Sequence, residues 1–181
     1  MVWMFFSKIS DPAVRGGLLE IILVVTDAEN FHRNNLQIHP HHYATWLRPG
    51  GASTASWMQR NFFLLDTKVL FHVVDDQVPM KYGVVQQDDM FQDLTEWEYM
   101  YLAGRLHKPT LPIISPPDSF LQAQNFNLQA AVAAALLLLS KDATSPHITW
   151  STFYNRIASL SYNGDFRMQV WEVKIRSRSR N

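Results

Sequence analysis

Leu18-Leu-Glu-Ile-Ile-Leu-Val-Val25 is an apolar, β-branched run of strand length with no alternation that would leave one side wet. It reads as a strand buried on both faces, so it belongs inside a sheet that is covered on either side. Glu20 is the exception within it, because an unpaired carboxylate in a dry sheet costs several kcal/mol. Two readings stay open for it. Either Glu20 starts the strand with its head in water, or it is a strand-borne acid that coordinates a cation.

Working outward, Lys68 to Asp75 (KVLFHVVD) and Met80 to Val85 (MKYGVV) are strand-like runs separated by Asp76-Gln-Val-Pro79, the pattern of an antiparallel hairpin. Period-2 alternation puts Lys81, Gly83 and Val85 on one face and Met80, Tyr82 and Val84 on the other. Gly83 removes a side chain from the lysine's own face. Lys81 is then either a solvated edge lysine that blocks aggregation or an ammonium that reaches a phosphate across open backbone.

Asp27 to Tyr43 reads as a short helix and a loop. His39, His41 and His42 match no established zinc spacing, and adjacent His41 and His42 would point apart in a helix or strand; no metal role is expected for them. Arg48 to Thr54 (RPGGAST) is a Gly-rich turn without the lysine or spacing of a phosphate loop. Asp88 to Gly104 is predicted as one helix, with Met90, Leu94, Trp97 and Tyr101 on one face and Gly104 as its left-handed cap. Arg105, His107 and Lys108 follow where they complement the helix's negative end. Pro112 to Pro117 is expected to be a rigid linker, followed by a helix over about 119–139. Thr149 is the expected cap of a last helix carrying Trp150, Phe153, Ile157 and Leu160. Asn163-Gly164 is a turn that presents Asp165 and Arg167.

The chain has 181 residues, with 16 basic and 16 acidic side chains, no cysteine and 47% hydrophobic residues. That length supports a core without disulfides or a structural metal. The absence of cysteine excludes a disulfide scaffold, a zinc ribbon and a thiol nucleophile. Zero formal net charge gives no global field to recruit nucleic acid, and no nucleic-acid partner is expected. The run Ala130 to Leu139 is about half of the ~20 residues a bilayer span requires, and it reads as a buried core helix. Neither a signal peptide nor a transit peptide is recognisable at the start.

Three blocks lie in order: Lys81-Tyr-Gly-Val-Val85, Tyr101-Leu-Ala-Gly-Arg-Leu-His-Lys-Pro109 and Leu160-Ser-Tyr-Asn-Gly-Asp-Phe-Arg-Met168. Together with Leu19-Glu-Ile-Ile-Leu-Val-Val-Thr26, Phe31-His32 and His41-His-Tyr43, they closely resemble the mitochondrial CDP-diacylglycerol synthase family. The resemblance implies an α+β fold, with a nucleotidyltransferase-like mixed sheet followed by a helical region. Its divisions would be a poorly determined segment 1–17, the sheet and helix 18–110, a helical region 111–170 completing the site, and a disordered basic tail 171–181.

The activity implied is phosphatidate cytidylyl transfer from CTP to phosphatidic acid for cardiolipin synthesis, by a peripheral enzyme on the matrix side of the mitochondrial inner membrane. Glu20, Lys81 and Asp165 would be catalytic, Glu20 and Asp165 would hold Mg²⁺, and Tyr82, Gly83, Arg105, Lys108 and Arg167 would contact substrate. Glu20, Lys81 and Asp165 are expected to converge on one cleft.

The sequence also departs from the family. No Gly-Tyr-Gly-Ser-Gly loop precedes the strand, and Arg15-Gly-Gly17 is only a faint substitute; the strand acid is Glu20 in place of aspartate; and the family's basic C-terminal region does not follow. The expectation is the middle of a longer enzyme, with little transfer activity unless the loop is restored. The alternative is a catalytically inactive or truncated member that acts as a binding or assembly factor at the inner membrane.

Overall fold

The computed structural model describes residues 2–9, 19–61, 67–74, 79–142 and 148–162. Leu19–Val25 is a strand, β2, and it lies at the centre of a five-stranded sheet. Its neighbours are β1 (Val2–Ile9), antiparallel, and β4 (Met80–Gln86), parallel. The order is β3-β4-β2-β1-β5, where β3 is Val69–Val74 and β5 is Leu111–Ile114. The expected hairpin is present as the antiparallel β3/β4 pair, and the α+β mixed sheet is the one the resemblance implies.

Side-chain parity divides the core. Trp3, Phe5, Ile22, Val24, Val69 and Val85 form one cluster with Met90 and Leu94 of α3 (Gln87–Glu96), Leu102 of α4 (Tyr101–Arg105) and Phe120 of α5 (Asp118–Asp142). Val25, Tyr82 and Val84 form another with Ala28 and Phe31 of α1 (Ala28–Ile38). A third cluster joins Tyr43 and Leu47 to Ala55 of α2 (Gly51–Asn61) and Leu70 of β3. Both faces of β2 are therefore covered, as its unbroken apolar run requires.

Several local expectations are corrected. The helix predicted over 88–104 is two helices, because Trp97 and Met100 adopt left-handed backbone at φ 56° and 53°. Buried Asp93 explains the break. Its carboxylate accepts from the backbone N–H groups of Tyr99, Met100, Leu102 and Ala103 at 2.7–3.0 Å, which supplies the donors of the turn and of the next helix's start with partners. Gly104 is not a left-handed cap but lies inside α4, packed so closely that an added Cβ would overlap the Cβ of Ser161.

The segment read as a proline linker pairs with β1 as β5; Pro112 is tolerated there because β5 is the sheet edge. Within the segment 1–17, the described residues Val2–Ile9 form the strand β1. Finally, α5 is not mainly a buried core helix. It buries Ala123, Asn127, Ala131, Ala135 and Leu139, and its most apolar window is 28% buried. Asp118–Lys141 is long and apolar enough to cross a membrane by length and composition.

The last helix, α6 (Trp150–Ser159), has the expected cap, with Thr149 accepting from the Thr152 N–H at 3.2 Å. Phe153, Ile157 and Leu160 pack against Ala131 and Ala135 of α5. Trp150 departs from that stripe and is 75% exposed.

Candidate active site and comparison with known proteins

Parallel pairing of β2 and β4 sets Glu20 directly beside Lys81, and in a parallel pair the two side chains share a face. The Lys81 Nζ lies 3.7 Å from Glu20 Oε1. Arg105, the last residue of α4, reaches the same carboxylate from above the sheet, with its Nη1 2.9 Å from Glu20 Oε2. The pair Glu20 and Lys81 thus converges as expected, and Arg105 joins it.

Two aromatic rings frame the cluster. The Lys81 Nζ sits 3.9 Å from the centroid of the Phe71 ring, and the Arg105 guanidinium is 5.3 Å from the Tyr101 ring while its Nη2 donates to the Tyr101 hydroxyl at 3.1 Å. Burial works against the charge on Arg105, but Tyr101 and Glu20 outweigh it and raise its pKa. Two cations are therefore held on one carboxylate against aromatic faces.

Gly83 contributes differently from its expected contact with substrate. It is buried, and a Cβ there would lie 2.6 Å from Val69 Cγ1 and 2.7 Å from Phe71 Cε1. The space is filled by Phe71, whose ring then underlies Lys81. Tyr82 is not brought to the cluster, because parity sends it to the opposite face. There its hydroxyl meets Asn35 Nδ2 and His42 Nδ1, each at 2.8 Å. Lys108 turns to Tyr162, donating to its hydroxyl at 2.6 Å. Asp165 and Arg167 lie outside the described residues.

The expectation that Glu20 holds Mg²⁺ meets a different arrangement. Both of its oxygens face cations, so an added divalent ion would be a third positive charge on one carboxylate. Asp165, the other carboxylate expected to hold Mg²⁺, lies outside the described residues, so the described part of the set is Glu20 alone, with Lys81 and Arg105 on its two oxygens.

A polar network not expected from the sequence lies on the reverse face. His32 Nε2 donates to Gln59 Oε1 at 2.8 Å, leaving Nδ1 to accept from the Tyr43 hydroxyl at 2.8 Å. His72 Nδ1 donates to the His42 carbonyl at 3.1 Å. Burial holds His32 below the usual imidazole range, takes His72 down to about 4 and pushes Tyr43 up to about 12. These are neutral groups fixing α1 and α2 to β3 and β4. Their only trace in the sequence is a set of polar residues at positions the apolar periodicity would bury. Also against expectation, His41 and His42 do not point apart: their ring centroids are 4.5 Å from each other, and one ring nitrogen from each of His39, His41 and His42 lies within 4.8 Å of the other two.

A family model described as phosphatidate cytidylyltransferase, mitochondrial, matches residues 8–176. Among curated relatives bearing that name, the Drosophila melanogaster protein is 37% identical over 161 residues, covering 88% of this chain and 46% of the relative. The Caenorhabditis elegans protein is 35% identical, covering 87% of this chain and 47% of the relative. For the Homo sapiens protein the values are 32%, 90% and 34%. The chain spans about half or less of the length of these relatives. With the family model matching nearly the whole of it, the chain belongs to the mitochondrial phosphatidate cytidylyltransferase family.

Proposed function

We propose that this chain carries the nucleotide-handling core of a phosphatidate cytidylyltransferase, making CDP-diacylglycerol and pyrophosphate from CTP and phosphatidic acid. The observation that carries this reading is the gathering of Lys81 and Arg105 on Glu20 in a chain of this family. Phosphatidate is already anionic near neutral pH. Its phosphate oxygen attacks the α-phosphorus of CTP; a P–O bond forms there as the bond to the β-phosphate breaks, and pyrophosphate leaves with the electron pair. No strong base is required. The demand is to bring polyanions together and neutralise the leaving charge.

Lys81 and Arg105 meet that demand, Lys81 as a point charge and Arg105 as a planar fork that matches phosphate oxygens. Glu20 acts as the positioning residue that keeps both cations oriented before substrate enters. Mg²⁺ arrives in this reading as substrate, on the CTP triphosphate, and no step relies on an ion held by Glu20.

The mitochondrial name of the relatives supports the same compartment for this chain, and we place it peripherally at the matrix face of the inner membrane. Support for membrane contact comes from the exposed apolar side chains Leu136 and Leu137 on α5 and Trp150 on α6, with Leu137 72% exposed.

The test is conversion of radiolabelled CTP to CDP-diacylglycerol on phosphatidate-containing vesicles, by the 181-residue chain and by the same chain carrying a Gly-Tyr-Gly-Ser-Gly loop ahead of β2. Turnover by the loop-bearing chain, with ~10²-fold less or none by the other, is expected from the loss of preorganised backbone donors. No turnover by either supports the binding or assembly role instead.

A further inference from the structure

On the reverse face of the sheet from Glu20, the chain leaves α1 through His39-Pro-His-His42. Pro40 opens a 3-10 turn in which the His42 N–H donates to the His39 carbonyl at 3.1 Å and the Tyr43 N–H to the Pro40 carbonyl at 3.2 Å. This tight backbone gathers side chains that a regular helix or strand would spread. The His39 and His42 rings lie parallel within 9°, their centroids 4.8 Å apart. His41 stands edge-on to both, 4.5 Å from His42 and 5.9 Å from His39.

We propose that His39, His41 and His42 form a three-imidazole site for a borderline divalent transition ion of the Zn²⁺ class, clipping the end of α1 to β4. Zn–N bonds of about 2.0–2.1 Å set tetrahedral nitrogens roughly 3.3 Å apart, and one nitrogen from each ring here lies within 4.8 Å of the other two. His39 and His41 are exposed and free to close that gap by side-chain rotation. The donor set is nitrogen alone, which suits Zn²⁺, Ni²⁺ or Cu²⁺ and not the oxygen-seeking Mg²⁺ or Ca²⁺. Three protein ligands leave a fourth position for water.

A supporting shell is in place. His42 Nδ1 is 2.8 Å from the Tyr82 hydroxyl, and the Asn35 amide holds that hydroxyl at 2.8 Å. An ion on Nε2 makes Nδ1 the protonated nitrogen, donating to Tyr82, the kind of outer contact that orients metal-binding imidazoles. Tyr82 and Lys81 point to opposite faces of β4, so the site is separate from the proposed transfer chemistry.

The experiment is calorimetric titration of the metal-stripped chain with Zn²⁺, alongside Co²⁺ for its visible absorption. One ion per chain with micromolar affinity is expected, together with a rise in melting temperature. The double variant His39→Ala/His41→Ala should bind at least tenfold more weakly and lose that rise, with its circular dichroism unchanged. His41→Ala alone, at an exposed turn position, should act in the same direction and serves if the double variant folds poorly. Unchanged binding in these variants would place the ion on other groups and overturn the proposal, as would the lack of saturable Zn²⁺ binding below millimolar by the folded wild-type chain.

Discussion

The Arg105 guanidinium and the Glu20 carboxylate meet at 2.9 Å across the gap between α4 and the sheet, with Lys81 on the other carboxylate oxygen at 3.7 Å. Glu20 and Arg105 are respectively 12% and 20% exposed at their side chains, so solvent screens this pair only weakly. Glu20→Gln leaves two cations facing a neutral amide. Its expected cost is about 1–3 kcal/mol, between that of exposed and fully buried pairs. Urea unfolding measures it, and an unchanged midpoint would show that the carboxylate does not hold the cluster together.

Gly83→Ala tests the packing beneath Lys81. The new Cβ would meet Val69 and Phe71 at 2.6 and 2.7 Å, so one of them must shift, at about 1–3 kcal/mol for an overpacked core. The same shift moves the ring under the Lys81 ammonium. The variant should therefore lose stability and CTP affinity together, by thermal melting and equilibrium dialysis. Loss of either alone contradicts the link between Gly83 and Lys81 through Phe71.

Asp93→Asn turns a carboxylate that accepts four backbone N–H bonds into an amide with one accepting atom. Two of those donors then face an NH₂ group, at a cost of about 2–5 kcal/mol for buried unsatisfied donors. Because this turn sets the start of α4, hydrogen exchange should accelerate across 99–105. Exchange as slow as in the wild type would show that Asp93 does not set the turn.

Acid should weaken the fold through the reverse-face histidines. Burial lowers the pKa values of His32 and His72, for His72 from 6.5 to about 4. Between those values the unfolded state binds more protons than the folded state. Stability is thus complete above pH 6.5 and is lost as pH falls toward 4, by roughly 3 kcal/mol for His72 alone. Urea midpoints in chelator-containing buffer from pH 7.5 to 4 read this directly; a flat profile would show that these rings titrate normally.

The parts of the site legible in the sequence depend on short-range pattern. Alternation in β4 places Lys81 and Tyr82 on opposite faces, and the unbroken apolar run of β2 makes Glu20 conspicuous. By pattern Arg105 is only a helix-end cation, and its substrate role rests on the resemblance. Its partner is set by the turn at 97–100, which depends on Asp93 reaching N–H groups as far along the chain as Ala103, a long-range choice invisible to periodicity. β5 was hidden by its proline, since pattern alone does not tell an edge strand from a linker. The imidazole cluster is hidden from periodicity because its backbone is a 3-10 turn, which follows neither helix nor strand geometry.

The most direct measurement is CDP-diacylglycerol formation by the loop-bearing chain with Lys81→Ala and, separately, Arg105→Ala, each confirmed as folded. Each substitution removes a preorganised charge from the developing pyrophosphate, and a loss of ~10²–10³ in kcat is expected. Turnover within a few-fold of the parent for both variants would contradict the account, placing the phosphate-handling charges somewhere other than on Glu20.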